Sequence, residues 1–263
     1  MRNLKWLLVG LFVAGAAAQS SAQAQTAAAA PAERYFFNLS FGGQSREQTF
    51  TTGSTFTIYG EQGAVASGHS IGGGTLFDLA AGAQVWRNLA IGLAYSTVSN
   101  ENDATALVRV PHPAIFGRSR EASATAADLE HSENAVHLQF RWMVPITDKI
   151  QVDLFAGPSF FTVRQDIATV RAPQDIADPA PFTSVSITSV TITEVKDSPV
   201  GFNVGIDATY AITQRYGVAI GVGGFLRYSQ ASIDLPAPQG VTLDAGDLKA
   251  GGGQGALGLR LRF

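Results

Sequence analysis

Three consecutive residues, His131, Ser132 and Glu133, are of the types that build a hydroxyl nucleophile, its general base and an orienting carboxylate. Their spacing matches no nucleophile motif. Four histidines in a Ser-rich chain (His69, His112, His131 and His137) meet serines by chance, His69 beside Ser70 being the other case. Asp175 and Asp178 form a still weaker acid pair. No catalytic residue is therefore assigned, although His131, Ser132 and Glu133 are the first to test for an enzyme. A run of carboxylates, Glu101, Asp103, Glu121, Asp128, Glu130 and Glu133, is interleaved with Arg109, Arg118 and Arg120, and Pro111-His112-Pro113 stiffens its middle. Oxygens of this kind can hold calcium or magnesium. The spacing fits no calcium loop, so a solvated acidic loop is the reading, with no metal and no cofactor. The chain has no cysteine, which removes disulfides and thiolate metal sites.

A second set of charges sits inside segments that alternate apolar and polar residues. Such alternation places one set on each face of a β-strand. The last segment is the clearest. Leu257, Leu259, Leu261 and Phe263 share one face, and Gly258, Arg260 and Arg262 share the other. Seven more segments have the same character, at about 34–43, 70–86, 88–98, 135–145, 149–165, 199–212 and 216–230. In each, the apolar set is expected outward, Ile71 included. Asp78, Arg141, Asp153, Asp207, Arg227, Arg260 and Arg262 fall on the inward set. A hairpin centred on Thr147 would set Arg141 opposite Asp153. Gly157-Pro158 marks a bulge or bend in the fifth segment.

Short and long connections alternate between these segments. Arg87-Asn88, Pro145 to Asp148 and Thr213 to Arg215 are short; 44–69, 99–134, 166–198 and 231–248 are long. An even number of strands with short turns at one end and long loops at the other is the pattern of a membrane barrel. Tyr35, Trp86, Trp142, Tyr216 and Phe263 all fall at the short-turn end and are expected to form an interface girdle, with Tyr95, Phe160 or Phe161, and Tyr228 at the other. Within 166–198, the stretch from Thr183 to Val195, where Val185, Ile187, Val190 and Ile192 alternate with Ser and Thr, predicts a hairpin arm beyond the bilayer, which could dock a partner strand or equally only protect the barrel mouth. Eight strands enclose a lumen that side chains fill, so the charges are expected to form a satisfied internal network.

The N-terminus has Arg2 and Lys5, an apolar run from Leu7 to Ala18, and the small-residue site Ala22-Gln23-Ala24, the three parts of a secretory signal peptide. The expected organisation is signal peptide 1–24, a disordered lead-in 25–33 and one barrel domain 34–263. Without Arg2 and Lys5 the chain carries 16 basic against 21 acidic residues, and no basic stripe exists for nucleic acid.

With strand count, loop alternation and the aromatic-ended last strand together, the chain resembles the OmpA/OmpX-type eight-stranded outer-membrane β-barrels, its single-domain members fitting better than those with a periplasmic domain. The resemblance implies an all-β, antiparallel up-and-down transmembrane barrel in the bacterial outer membrane. It implies contact with outer-membrane lipid, and recognition of the strand ending at Phe263 by the barrel assembly machinery. The expected role is structural or surface interaction with an extracellular protein partner. A narrow channel for ions or small solutes and a lipid-modifying barrel enzyme are the alternatives.

Overall fold

The computed structural model describes residues 34–263 other than Tyr216 and Ala245. The signal peptide and lead-in predicted for 1–33, and the girdle position of Tyr216, lie outside the described residues. Twelve strands follow one another: β1 (Tyr35–Ile58), β2 (Glu61–Trp86), β3 (Leu89–Pro111), β4 (Ser119–Pro145), β5 (Ile150–Thr169), β6 (Ile176–Ala177), β7 (Ser186–Ile187), β8 (Thr191–Asp197), β9 (Val200–Arg215), β10 (Val218–Ser232), β11 (Thr242–Asp244) and β12 (Lys249–Arg262). Eight of them close a ring in the order β1-β2-β3-β4-β5-β9-β10-β12, each antiparallel to its neighbours. The seam is the β12–β1 ladder, in register from Phe36 opposite Arg262 to Ser45 opposite Gly253. Closure leaves no free edge in the lower part of the ring. Above Ser45 the seam ladder ends; among the described residues, β1 is paired on that side only with β11 at Thr51 to Gly53, and β8 is paired only with β5.

Strand length separates the structure from the sequence reading. A barrel strand crosses a bilayer in roughly 9–11 residues. β1 to β4 have 24, 26, 23 and 27 residues. The supposed loop 44–69 is the upper half of a hairpin whose turn is only Tyr59-Gly60, both at positive φ (56° and 77°), as a tight two-residue turn requires. The supposed loop 99–134 is likewise ladder from Asn100 opposite His131 to Pro111 opposite Ser119. The arm predicted at 183–195 does not stand alone: β8 pairs with the top of β5, from Val163 opposite Asp197 to Thr169 opposite Thr191, while β6 and β7 form a small separate sheet. β9 runs on to Arg215, past the turn expected at 213–215. The bulge expected at Gly157-Pro158 is absent, since both stay in register with Asn203 and Phe202.

The ring therefore has two storeys. In the lower one, next to the short turns, the outward side chains are apolar: Phe41, Phe77, Leu93, Phe140, Leu154, Val222 and Leu257 are exposed. In the upper one the outward residues are polar, such as Thr49, Thr51, Thr55 and Thr57 on β1 and Glu121, Ser123 and Thr125 on β4. The inward faces are reversed. The upper interior is a hydrophobic core of Phe50, Ile71, Phe161, Val163, Ile167, Val195, Ile233, Leu235 and Leu248, with a second cluster around Val65, Val108, Val110 and Val170 above it.

Bulges sit at the junction. β1 gains a residue on β2 between Gln44 and Glu47, and the β2–β3 register shifts between His69 and Thr75. An extra residue turns the following side chains to the opposite face. Even-numbered residues of β2 face inward below the shift (Leu76, Asp78, Ala80), and odd-numbered ones above it (Val65, Ser67, His69, Ile71). Ile71, expected outward, is buried for this reason. Gly73 permits the crossing, because a Cβ there would lie 2.1 Å from the Gln44 carbonyl oxygen. The same change of phase occurs on β4 beside Asp128, at φ 58°, where the register shifts against Asn102 and Ala104 of β3.

Candidate functional site

The lower lumen holds the seven inward charges predicted for it, and all seven are buried. Arg227 Nη1 lies 2.8 Å from Asp78 Oδ2. Arg260 Nε donates to Asp207 Oδ1 at 3.1 Å and its Nη1 to Ser40 Oγ at 2.8 Å. Arg141 Nη1 and Arg262 Nη2 both reach Asp153 Oδ2 at 3.3 Å, and Arg141 Nη2 lies 3.5 Å from Asp207. The Arg141 guanidinium also packs over the rings of Phe36 and Phe155, at 4.7 and 5.0 Å from their centroids. Facing rings stabilise a desolvated cation as well as cover it. The predicted register of this hairpin is off by two residues: Arg141 opposes Phe155, and Asp153 opposes Met143. The Arg141–Asp153 pair forms across the diagonal instead.

A polar chain climbs from this network to the junction. Arg227 Nε donates to Gln254 Oε1 (2.6 Å), Gln254 Nε2 to Gln44 Oε1 (2.6 Å) and Gln44 Nε2 to Glu133 Oε2 (3.1 Å). Glu133 is further held by Arg46 and by the Gly251 N–H at 2.9 Å. His131 Nε2 lies 3.2 Å from Glu133 Oε1, and its Nδ1 lies 2.7 Å from Gln165 Oε1. Both His131 and Glu133 are buried on strand β4 and not in a loop. Ser132, one residue away on an extended strand, points to the opposite face. The three residues thus do not converge as a nucleophile, base and orienter. Sequence reasoning missed Arg46, Gln44 and Gln254, whose segment had been read as loop or whose polarity alone gave no signal.

The other histidines are also tied. His137 bridges the hydroxyls of Ser96 (2.9 Å) and Ser159 (2.7 Å). His69, read as a loop residue, lies on β2 stacked on Phe50 at 4.5 Å, and its Nε2 accepts the Ala168 N–H at 3.0 Å. Burial there pushes the imidazole below its ordinary range. The loop acids are structural partners as well. Asp178 accepts from Arg120, and from the Tyr59 hydroxyl at 3.1 Å. The Arg120 hydrogen bond holds the Asp178 carboxyl below its usual value despite opposing desolvation. Asp175 accepts the Arg171 N–H at 3.0 Å, and Glu121 pairs with exposed Arg109 at 2.6 Å. Among the described residues, no three His, Asp or Glu side chains converge as a metal site.

The exterior aromatics form two levels. Tyr35, Trp86, Trp142 and Phe263 are exposed at the short-turn end, with the Tyr35 and Phe263 rings 5.7 Å apart across the seam. Tyr95, Phe160, Phe202 and Tyr228 are exposed at the upper limit of the apolar band. Apolar flanks bounded by aromatic rings, around a charged interior, belong to a surface that meets lipid. The class is accordingly an eight-stranded antiparallel up-and-down transmembrane β-barrel, here continued above the bilayer by a solvent-facing storey.

No protein-family model matches the chain, and no curated protein matches it. Among solved structures it is similar to Neisserial surface protein A (NspA), at 12% identity and a TM-score of 0.40, covering 87% of this chain and 97% of that one. It is similar to Ail, the attachment invasion locus protein of Yersinia pestis solved with the heparin analogue sucrose octasulfate, at 7% identity and 0.38, covering 87% and 99%. It is also similar to the outer membrane protease OmpT from Escherichia coli, at 10% identity and 0.39, covering 88% and 94%. The barrel assignment rests on the closed ladder and the two faces of its wall.

Proposed function

We propose that this chain is a bacterial outer-membrane barrel that presents its upper storey to the exterior as a surface-interaction platform, without catalysis. The observation that carries the reading is the hydrophobic core of that storey. Length beyond the bilayer adds nothing to insertion, yet 44–69 and 99–134 are built as wall packed around Phe50, Ile71, Val108 and Val163. A packed scaffold holds its tips in fixed positions, which lowers the ordering cost of binding. The tip between β3 and β4 displays Phe116, 88% exposed, beside Ile115. Two adjacent exposed apolar side chains at this tip are where we place the contact. The narrow-channel alternative is disfavoured by a lumen filled with a network of buried charged side chains below and apolar side chains above.

The test uses cells displaying the barrel and surfaces coated with extracellular proteins. Replacing 115–116 by Ser-Ser should reduce attachment several-fold while heat-modifiable gel migration stays unchanged. Attachment equal to that of the parent, or stepwise conductance from the purified protein in planar bilayers, would overturn the reading. The proposal includes recognition of the seam strand by the barrel assembly machinery. Deleting Phe263 removes no lumen contact, so insertion in cells should fall far more than refolding into detergent. Equal yields from both would show that the terminal ring is not part of that signal.

A further inference from the structure

The lower lumen is not electrically balanced. Arg227 and Asp78 form one pair, but Arg141, Arg260 and Arg262 share only Asp153 and Asp207. Asp153 is already shared, with Arg141 and Arg262 on Oδ2 and the Gln151 amide on Oδ1 at 2.5 Å. Among the described residues, three guanidiniums against two carboxylates leave one positive charge with no counter-charge. Burying an uncompensated charge is costly.

Beneath this cluster a partly enclosed cavity of about 400 Å³ opens at the short-turn end. Arg260 and Arg262 line it, 1% and 7% exposed. Arg262 Nε and Arg260 Nη2 have no hydrogen-bond partner among the described residues. The remaining polar lining includes Lys149, Thr147, Gln151 and Thr209, all able to donate, and the one acid on the wall, Asp148, is on the exposed turn. The cavity therefore combines an unmatched buried charge, spare donors and access from the short-turn end.

We propose that this mouth is a binding site for a phosphate-type oxyanion, with Arg262 as the principal contact and Lys149 as the outer one. Arginine suits the role because its planar fork presents several donors to one oxyanion. Two sources offer the same chemistry: free inorganic phosphate, and the headgroup phosphate of an inner-leaflet phospholipid reaching under the turn.

The test follows thermal unfolding of the refolded protein in neutral detergent, by heat-modifiable gel migration. Sodium phosphate is titrated against sodium chloride at equal ionic strength, and short-chain phosphatidylglycerol against monoolein. The midpoint should rise with phosphate, and Arg262→Gln should raise the half-saturating concentration at least tenfold. That variant leaves two arginines on two acids, so it should fold. Lys149→Gln, on the exposed turn, should weaken the response several-fold and serves alone if Arg262→Gln fails to fold. Arg109→Gln, an exposed cation at the far end, should respond as the parent does. A response to phosphatidylglycerol alone, lost in the same variants, assigns the site to a lipid headgroup; a response to phosphate assigns it to the free ion. No response to either, or one that both variants retain, overturns the proposal.

Discussion

The two storeys of this barrel solve one packing problem in opposite ways. Below the Gly72-Gly73-Gly74 shift of β2, lipid is the solvent outside the wall, so apolar side chains face out and the ring encloses seven charges. Above it water is the solvent, the wall turns threonine and acid outward, and isoleucine, valine and phenylalanine pack on its inner side. The ladders of β1 to β5 continue through both; the side-chain phase changes on β2 and β4, while on β1, β3 and β5 the same face stays inward and the residue types change. What holds each storey together differs accordingly. The lower interior depends on charge pairing with little water to screen it, and its outer face gains little from burial because lipid is as apolar as the side chains. The upper interior is held by the hydrophobic effect, as in a soluble barrel.

Substitutions should separate these two sources of stability. The largest loss is expected from Asp78→Ala, which leaves the Arg227 guanidinium buried with no acid beside it; breaking such a pair costs about 3–5 kcal/mol. Arg141→Ala should cost less, although Arg141 touches two acids, because Asp153 keeps Arg262 and Asp207 keeps Arg260. In the upper storey, Ile71→Ala should cost about 2–4 kcal/mol through lost burial and the cavity left behind. Leu259→Ala, on the lipid face, should change stability far less than Ile71→Ala. Guanidinium unfolding in detergent, followed by fluorescence of Trp86 and Trp142, ranks all four. A larger loss for Arg141→Ala than for Asp78→Ala would show that pair number, not charge balance, governs the lumen. Equal losses for Ile71 and Leu259 would erase the distinction between the storeys.

The lower storey was legible in the sequence because its signal has a period of two and a strong contrast: Leu-Arg-Leu-Arg at the C-terminus, or Val136 to Val144 around His137, Gln139 and Arg141. The faces of all seven charges followed from it. Register did not, since moving a hairpin centre by one residue leaves the faces unchanged while shifting Arg141 from Asp153 to Phe155. The upper storey was taken for loop. Its outward positions are threonine, serine and glutamate, and its inward ones are often alanine or valine, so the contrast is weak and the composition resembles a surface loop. Tyr59-Gly60 is also a faint turn signal beside Arg87-Asn88. The Glu133 cluster was invisible for a further reason: it joins Arg46, Gln254 and Gln165 from four strands far apart in sequence, and only ring closure brings them together.

The smallest expected effect concerns the top of the upper storey, where packing gives way to single polar ties. Arg120 and Tyr59 both hold Asp178, and Arg120 also donates to the Phe182 and Pro111 carbonyl oxygens, at 3.1 and 2.8 Å. These contacts fasten the segment carrying β6 and β7 to the β1–β2 turn and to β4. Because the Asp178 carboxyl titrates below its ordinary value, the folded state favours its charged form. The contribution is thus present in full above the ordinary carboxylate value of 3.8 and is lost as pH falls through the depressed one. The lower storey should not respond in this window through Asp178. Hydrogen exchange is the suitable readout, because local opening precedes global unfolding. Backbone amides in 174–190 should keep their protection from pH 7 down to the ordinary carboxylate value of 3.8 and lose it selectively as pH falls further, after correction for intrinsic exchange rates. Asp178→Asn should show the low-pH pattern already at pH 7. Protection of 174–190 that is independent of pH, or that falls together with the seam between β12 and β1, would mean that the tip is held by the same forces as the wall beneath it.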